Sequence, residues 1–172
     1  MTVRNYADDK ILIDRAVSDY EYTVHKRDHC ILNISDPETE ETYKKAYNIV
    51  LEKKKMDLKH LVSDFWDSLG NDLTTLQMNI SDPWWCSGVA DENLPLEKTM
   101  SLRDFFKIFD KYFYEFIGKQ CSITNLIRER KNCSGVYEDA YTTLIKLNCK
   151  DLMSVWYTLG NLKLFLENEL EF

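Results

Sequence analysis

"SLRDFFKIFDKYFYEFIG", residues 101–118, decides the class of fold. Leu102, Phe105, Phe106, Phe109, Tyr112, Phe113, Phe116 and Ile117 recur at i, i+3, i+4 and i+7. That is the period of one face of an α-helix. Ser101 and Asp104 stand three apart, as an N-cap and its reciprocal acidic partner do. Gly118 reads as the stop. Tyr114 and Phe116 widen the stripe, so this helix is expected to be central in the core or to line a groove.

The same period extends outward on both sides. Upstream, a helix is expected at about Asp8–His29, with Leu12, Ala16, Val17, Tyr20 and Val24 on its apolar face. Next, "NISDP" at 33–37 offers two starts for a helix: Ser35 with Glu38 as a capping box, or Asp36 as cap with Pro37 in the first turn. A long periodic run follows through Tyr43, Tyr47, Val50, Leu58, Leu61, Val62, Phe65 and Leu69, with Lys54 in its seam. It reads as one helix bent near Lys53–Lys55 or as two helices meeting there, and Gly70-Asn71 as a C-terminal cap. Downstream, a short piece is expected after Ser122, another helix at Tyr137–Ile145, and a last one capped by Asn148. The sum is an all-α chain of six or seven helices in a single domain, residues 1–172. Five glycines and three prolines over 172 residues support long helices, since breakers are few.

Residues 72–100 depart from this pattern: "LTTLQMNI" alternates weakly, and a long irregular loop is expected at about 79–100. The pentapeptide NISDP returns at 79–83, but here it leads into "WWCSGVADENLPLEKT" with no helical period. A long aperiodic segment in a compact chain is often functional. "CILNIS" and "LQMNIS" alternate in parallel, and a short two-strand ladder between Leu32/Ile34 and Met78/Ile80 is one reading.

Two stretches echo each other. "WDSLGN" at 66–71 matches "WYTLGN" at 156–161, and "YKKAY" at 43–47 matches "YEDAY" at 137–141. The Tyr-to-Trp gaps are 19 and 15 residues, a difference of one helical turn, so both copies present the same face. A duplicated helical hairpin accounts for this: Ala admits a neighbouring helix, the Tyr rings fill its sides, and Trp with Leu-Gly closes the hairpin.

Composition excludes several roles. The charge of −7 opposes a phosphate backbone, so no nucleic acid is expected. No apolar run reaches the roughly 18 residues of a membrane span. The N-terminus has no signal-peptide pattern, and five cysteines without a CxxC read as free thiols in a reducing cytoplasm. Sequons at Asn33, Asn79 and Asn132 support the alternative of a secreted helical glycoprotein.

Chemistry-bearing motifs are incomplete. His25 and His29 lie one helical turn apart with Cys30 next, a weak candidate zinc set and the basis of an alternative reading as a small metal-dependent enzyme. Cys86 has no sequence-adjacent base. No catalytic residue and no cofactor are expected. The residues that stand out are Trp84 and Trp85 in the aperiodic segment, since Trp is enriched at interaction hot spots. With the acidic Asp82, Asp91 and Glu92 they form a candidate surface for a protein partner that itself carries a basic surface.

Two family resemblances touch parts of the chain. "GVYEDAYTTLIKLN" followed by "SVWYTLGN" resembles a tetratricopeptide helix junction. The two Trp copies lie 90 residues apart, however, which is no multiple of that family's 34-residue period. The helix order and the ending "DLMSVWYTLGNLKLFLENEL" are similar to the apoptosis-regulator fold as poxviruses use it. That resemblance implies a protein that blocks host signalling. The paired small residues of that family's central helix and its Asn-Trp-Gly-Arg signature are missing here. The expectation is a non-enzymatic protein-binding module, an inhibitor or adaptor.

Overall fold

A computed structural model describes residues 6–78 and 88–172, and every regular element among them is an α-helix. There are four: α1 (Ala7–Leu32), α2 (Pro37–Met78), α3 (Leu102–Arg130) and α4 (Val136–Asn168). The all-α reading holds. The count of six or seven helices does not, because three expected boundaries lie inside helices. Gly70 continues α2, since its bare Cα lies under the ring of Trp156. Gly118 continues α3; an exposed helical Gly costs about 1 kcal/mol, which burial of Ile123 in the following turn offsets. Asn148 caps nothing: its side-chain amide donates back to the Leu144 carbonyl at 2.8 Å inside α4. The ladder expected between Leu32 and Met78 is replaced by helix, as these are the last residues of α1 and α2.

The chain forms two compact units, and α2 contributes to both. The first holds residues up to Phe65, together with Phe172. At the start of α2, Asp36 is the cap: its carboxylate accepts from the Thr39 backbone N–H at 3.3 Å and from the Thr39 hydroxyl at 2.6 Å. Ile13, Tyr20, Leu51, Leu58, Val62 and Phe65 are buried here, and Tyr6 meets Phe65 edge-on at 5.6 Å. Leu12, Tyr43 and Val50, expected on the buried faces, are exposed. Lys54 in the seam is explained by its partners, Asp19 at 2.7 Å and the Thr23 hydroxyl at 2.8 Å. The Phe172 ring packs on Tyr20 at 5.3 Å and receives Lys55 over its face.

The second unit comprises Trp66–Glu171. Here α3 and α4 pack together. They run antiparallel, since Lys119 reaches Asp151 and Arg130 reaches Thr142. Ser101 caps α3, its hydroxyl accepting from Asp104 N–H at 3.0 Å as the sequence predicted. Phe105, Phe109, Phe116 and Ile123 of α3 and Ile145, Leu152, Leu159 and Leu162 of α4 are fully buried; Tyr114 is exposed. The two echo segments meet face to face. The Trp66 and Trp156 rings stack at 4.4 Å, and each indole N–H donates to the other's backbone carbonyl, at 3.1 and 3.4 Å.

Candidate functional site

The connection between α2 and α3 is aperiodic wherever it is described, from Gly88 to Ser101. Of the sequence-predicted partner site, Asp82, Trp84 and Trp85 lie outside the described residues, as does Cys86. Asp91 and Glu92 are described, and both are exposed.

Residues 88–93 form a strap laid across α4 and tied to α3. The Val89 N–H donates to the Ser154 hydroxyl at 3.0 Å, and the Asp91 N–H to the Thr158 hydroxyl at 2.9 Å. The geometry follows from two periods. Alternate N–H groups of an extended chain stand about 6.6 Å apart, and residues one turn apart on a helix about 6 Å. Ser154 and Thr158, at i and i+4, therefore match Val89 and Asp91, at j and j+2. Each hydroxyl in turn donates to the helix carbonyl four residues back, at Lys150 and Ser154, so both are held in place. Gly88 admits no side chain: a Cβ there would stand 2.6 Å from Met153 Cβ and 2.7 Å from the Ser154 nitrogen.

Asp91 completes the attachment. One carboxylate oxygen accepts from the Tyr112 hydroxyl at 2.6 Å and the other from the Asn93 N–H at 2.9 Å. The Tyr112 hydrogen bond, then that of Asn93, holds the Asp91 carboxyl below its ordinary range. Burial first, and then Asp91, push the Tyr112 phenol up to about 12. Glu92 beside it faces solvent.

Next to the strap lies an open surface cleft of about 370 Å³, whose walls include Val89, Tyr112, Glu115, Lys119 and Asp151. Lys119 and Asp151 face each other at 3.4 Å along it. Past this pair, the N-terminal half of α4 turns an apolar face outward. Val136 is 80% exposed, Tyr137 73%, Leu144 45% and Leu147 57%. The periodicity places Tyr137, Ala140 and Leu144 on an apolar stripe but does not reveal that these residues are exposed. A second concavity, of about 480 Å³, lies at the α1–α2 turn over Ile31 and Leu32. Its cations are paired, Arg27 with Asp28 at 3.0 Å and Lys44 with Glu40 at 3.0 Å.

The other candidate chemistry is dispersed. His25 and His29 are exposed on α1, and Cys30 places its sulfur 3.5 Å from the Tyr47 hydroxyl. Among the described residues no three His, Cys, Asp or Glu side chains stand together as a metal set. Cys149 is buried, and burial pushes its thiol up to about 12, far from a reactive thiolate. The Lys53–Lys55 run is occupied by ion pairs with Asp57, Asp19 and Glu52. Asn33 and Asn132 of the sequons are exposed. Among the described residues no helix is long and apolar enough to cross a membrane. No protein family, curated protein or solved structure matches the chain.

Proposed function

We propose that the chain is a non-enzymatic protein-binding module, an intracellular inhibitor or adaptor, that presents its Trp-bearing acidic loop from the α3–α4 platform. The observation that carries this reading is the strap. Its residues are tied down by two helix hydroxyls, a buried tyrosine and a glycine that tolerates no side chain. Binding residues are commonly placed on loops held by a rigid scaffold, and a loop whose exit is fixed costs less entropy to order on a partner. The net charge of −7, with Glu92 exposed on the strap, supports a partner with a basic surface, since opposite fields speed encounter.

The test begins with a pull-down that retrieves a partner, followed by titration calorimetry with the purified pair. Trp84→Ala combined with Trp85→Ala should weaken binding at least 100-fold, with the thermal melt unchanged. Gly88→Ala, which disturbs the seat of the strap, should weaken it less. Wild-type affinity in the double-tryptophan variant would overturn the reading.

A further inference from the structure

We propose that the exposed apolar face of α4 is the contact through which two copies of this chain associate, antiparallel, about a two-fold axis. The inference is independent of the loop reading, since it uses other residues. Val136, Ala140, Leu144 and Leu147 fall within one narrow face of α4, at i, i+4, i+8 and i+11, with Tyr137 beside them. All five are exposed. Scattered exposed apolar residues need no explanation, but a contiguous helical stripe marks an interaction surface.

The charges beside the stripe identify the occupant. Asp139 and Lys150 are eleven residues apart, three helical turns, so both stand on the same flank of the stripe; both are exposed. In a two-fold antiparallel helix pair, equal flanks of the two helices face each other with their ends exchanged. If Ala140 of one copy sits opposite Leu147 of the other, Asp139 of each comes within reach of Lys150 of its counterpart. A parallel two-fold pair would put the equal flanks on opposite sides of the interface, where Asp139 and Lys150 could not meet. The surface is therefore complementary to itself in one orientation. Ala140 lets the Leu147 side chain approach closely. The buried area is roughly 400 Å² per copy, about half that of a standard specific interface, so the self-association is weak and is expected only in the upper micromolar range.

Sedimentation velocity of the full chain from about 1 to about 200 µM tests this. The mass should rise from 20.4 kDa toward twice that value. Leu144→Glu with Leu147→Glu should remain monomeric throughout, and Leu147→Gln alone should weaken association at least ten-fold; circular dichroism verifies that both fold. Asp139→Lys should weaken association, and Asp139→Lys with Lys150→Glu should restore it. Ile49→Glu, on the exposed face of α2, should change nothing. A wild type that is monomeric at the highest concentration overturns the proposal, as does association that survives the leucine variants or is lost with Ile49→Glu. A charge swap that fails to restore association overturns the antiparallel arrangement. The monomeric variant should still bind the loop's partner, so failure of one proposal leaves the other standing.

Discussion

Trp66 and Trp156, ninety residues apart, stack within 7° of parallel, and each donates its indole N–H to the other's backbone. Each ring lies over the other segment's glycine: Trp156 carbon is 3.0 Å from the position a Cβ would take at Gly70, and Trp66 is as close at Gly160. Both glycines are thus explained by close approach rather than by helix termination.

The contacts are asymmetric, and the asymmetry predicts a difference. At Gly160 three Trp66 atoms lie within 3.2 Å of a Cβ, whereas at Gly70 only one Trp156 atom lies within 3.4 Å. Ala adds about 1 kcal/mol of helix propensity at either site, opposed by displacement of the ring. Gly160→Ala should therefore lower the urea midpoint more than Gly70→Ala. Trp66→Ala and Trp156→Ala should each cost about 3 kcal/mol. A double-mutant cycle should return about 1 kcal/mol of coupling; purely additive losses would show that the stack itself contributes nothing.

Gly118 provides the contrast. A Cβ there meets nothing within 4 Å, and the residue lies inside α3. Gly118→Ala should stabilise the protein by up to about 1 kcal/mol in chemical denaturation. A loss of stability would mean that α3 is interrupted at this point.

The strap should respond to pH at both ends of the scale. The Asp91 carboxyl is depressed in the folded protein, so its contribution is present above the ordinary carboxylate range and is lost as pH falls through the folded value. The Tyr112 phenol is raised from 10.0 to about 12, so its contribution is complete below 10 and is lost as pH rises toward 12. Hydrogen exchange at Val89 and Asp91, with amide protection normalised for intrinsic rates, should show strap protection confined to the window between. Tyr112→Phe should narrow the acid side of that window, because the largest cause of the Asp91 depression is removed. Unchanged protection in Tyr112→Phe would show that the two helix hydroxyls suffice.

Thiol reactivity should separate two cysteines. Cys121 is exposed and Cys149 buried. In native protein an alkylating reagent should modify Cys121 within minutes and reach Cys149 only at the rate of unfolding. Equal rates would show that α4 opens locally around Cys149.

The sequence by itself determined the helical class, the Ser101 cap and the aromatic core face of α3, and it narrowed the start of α2 to Ser35 or Asp36. These are local: spacing and capping chemistry are written in neighbouring residues. It did not determine where helices continue. Gly70, Gly118 and Asn148 carry the local chemistry of boundaries, yet each is overridden by what packs on the next turn or, at Gly70, by a ring from a distant segment. The strap was equally hidden, because Ser154 and Thr158 become acceptors only when an extended chain lies on them at matching pitch. Nor could periodicity tell a covered face from an open one. Tyr137, Ala140 and Leu144 form the same stripe whether or not a helix lies against it, and only the tertiary arrangement, which places α3 and the strap on other faces of α4, leaves theirs exposed among the described residues.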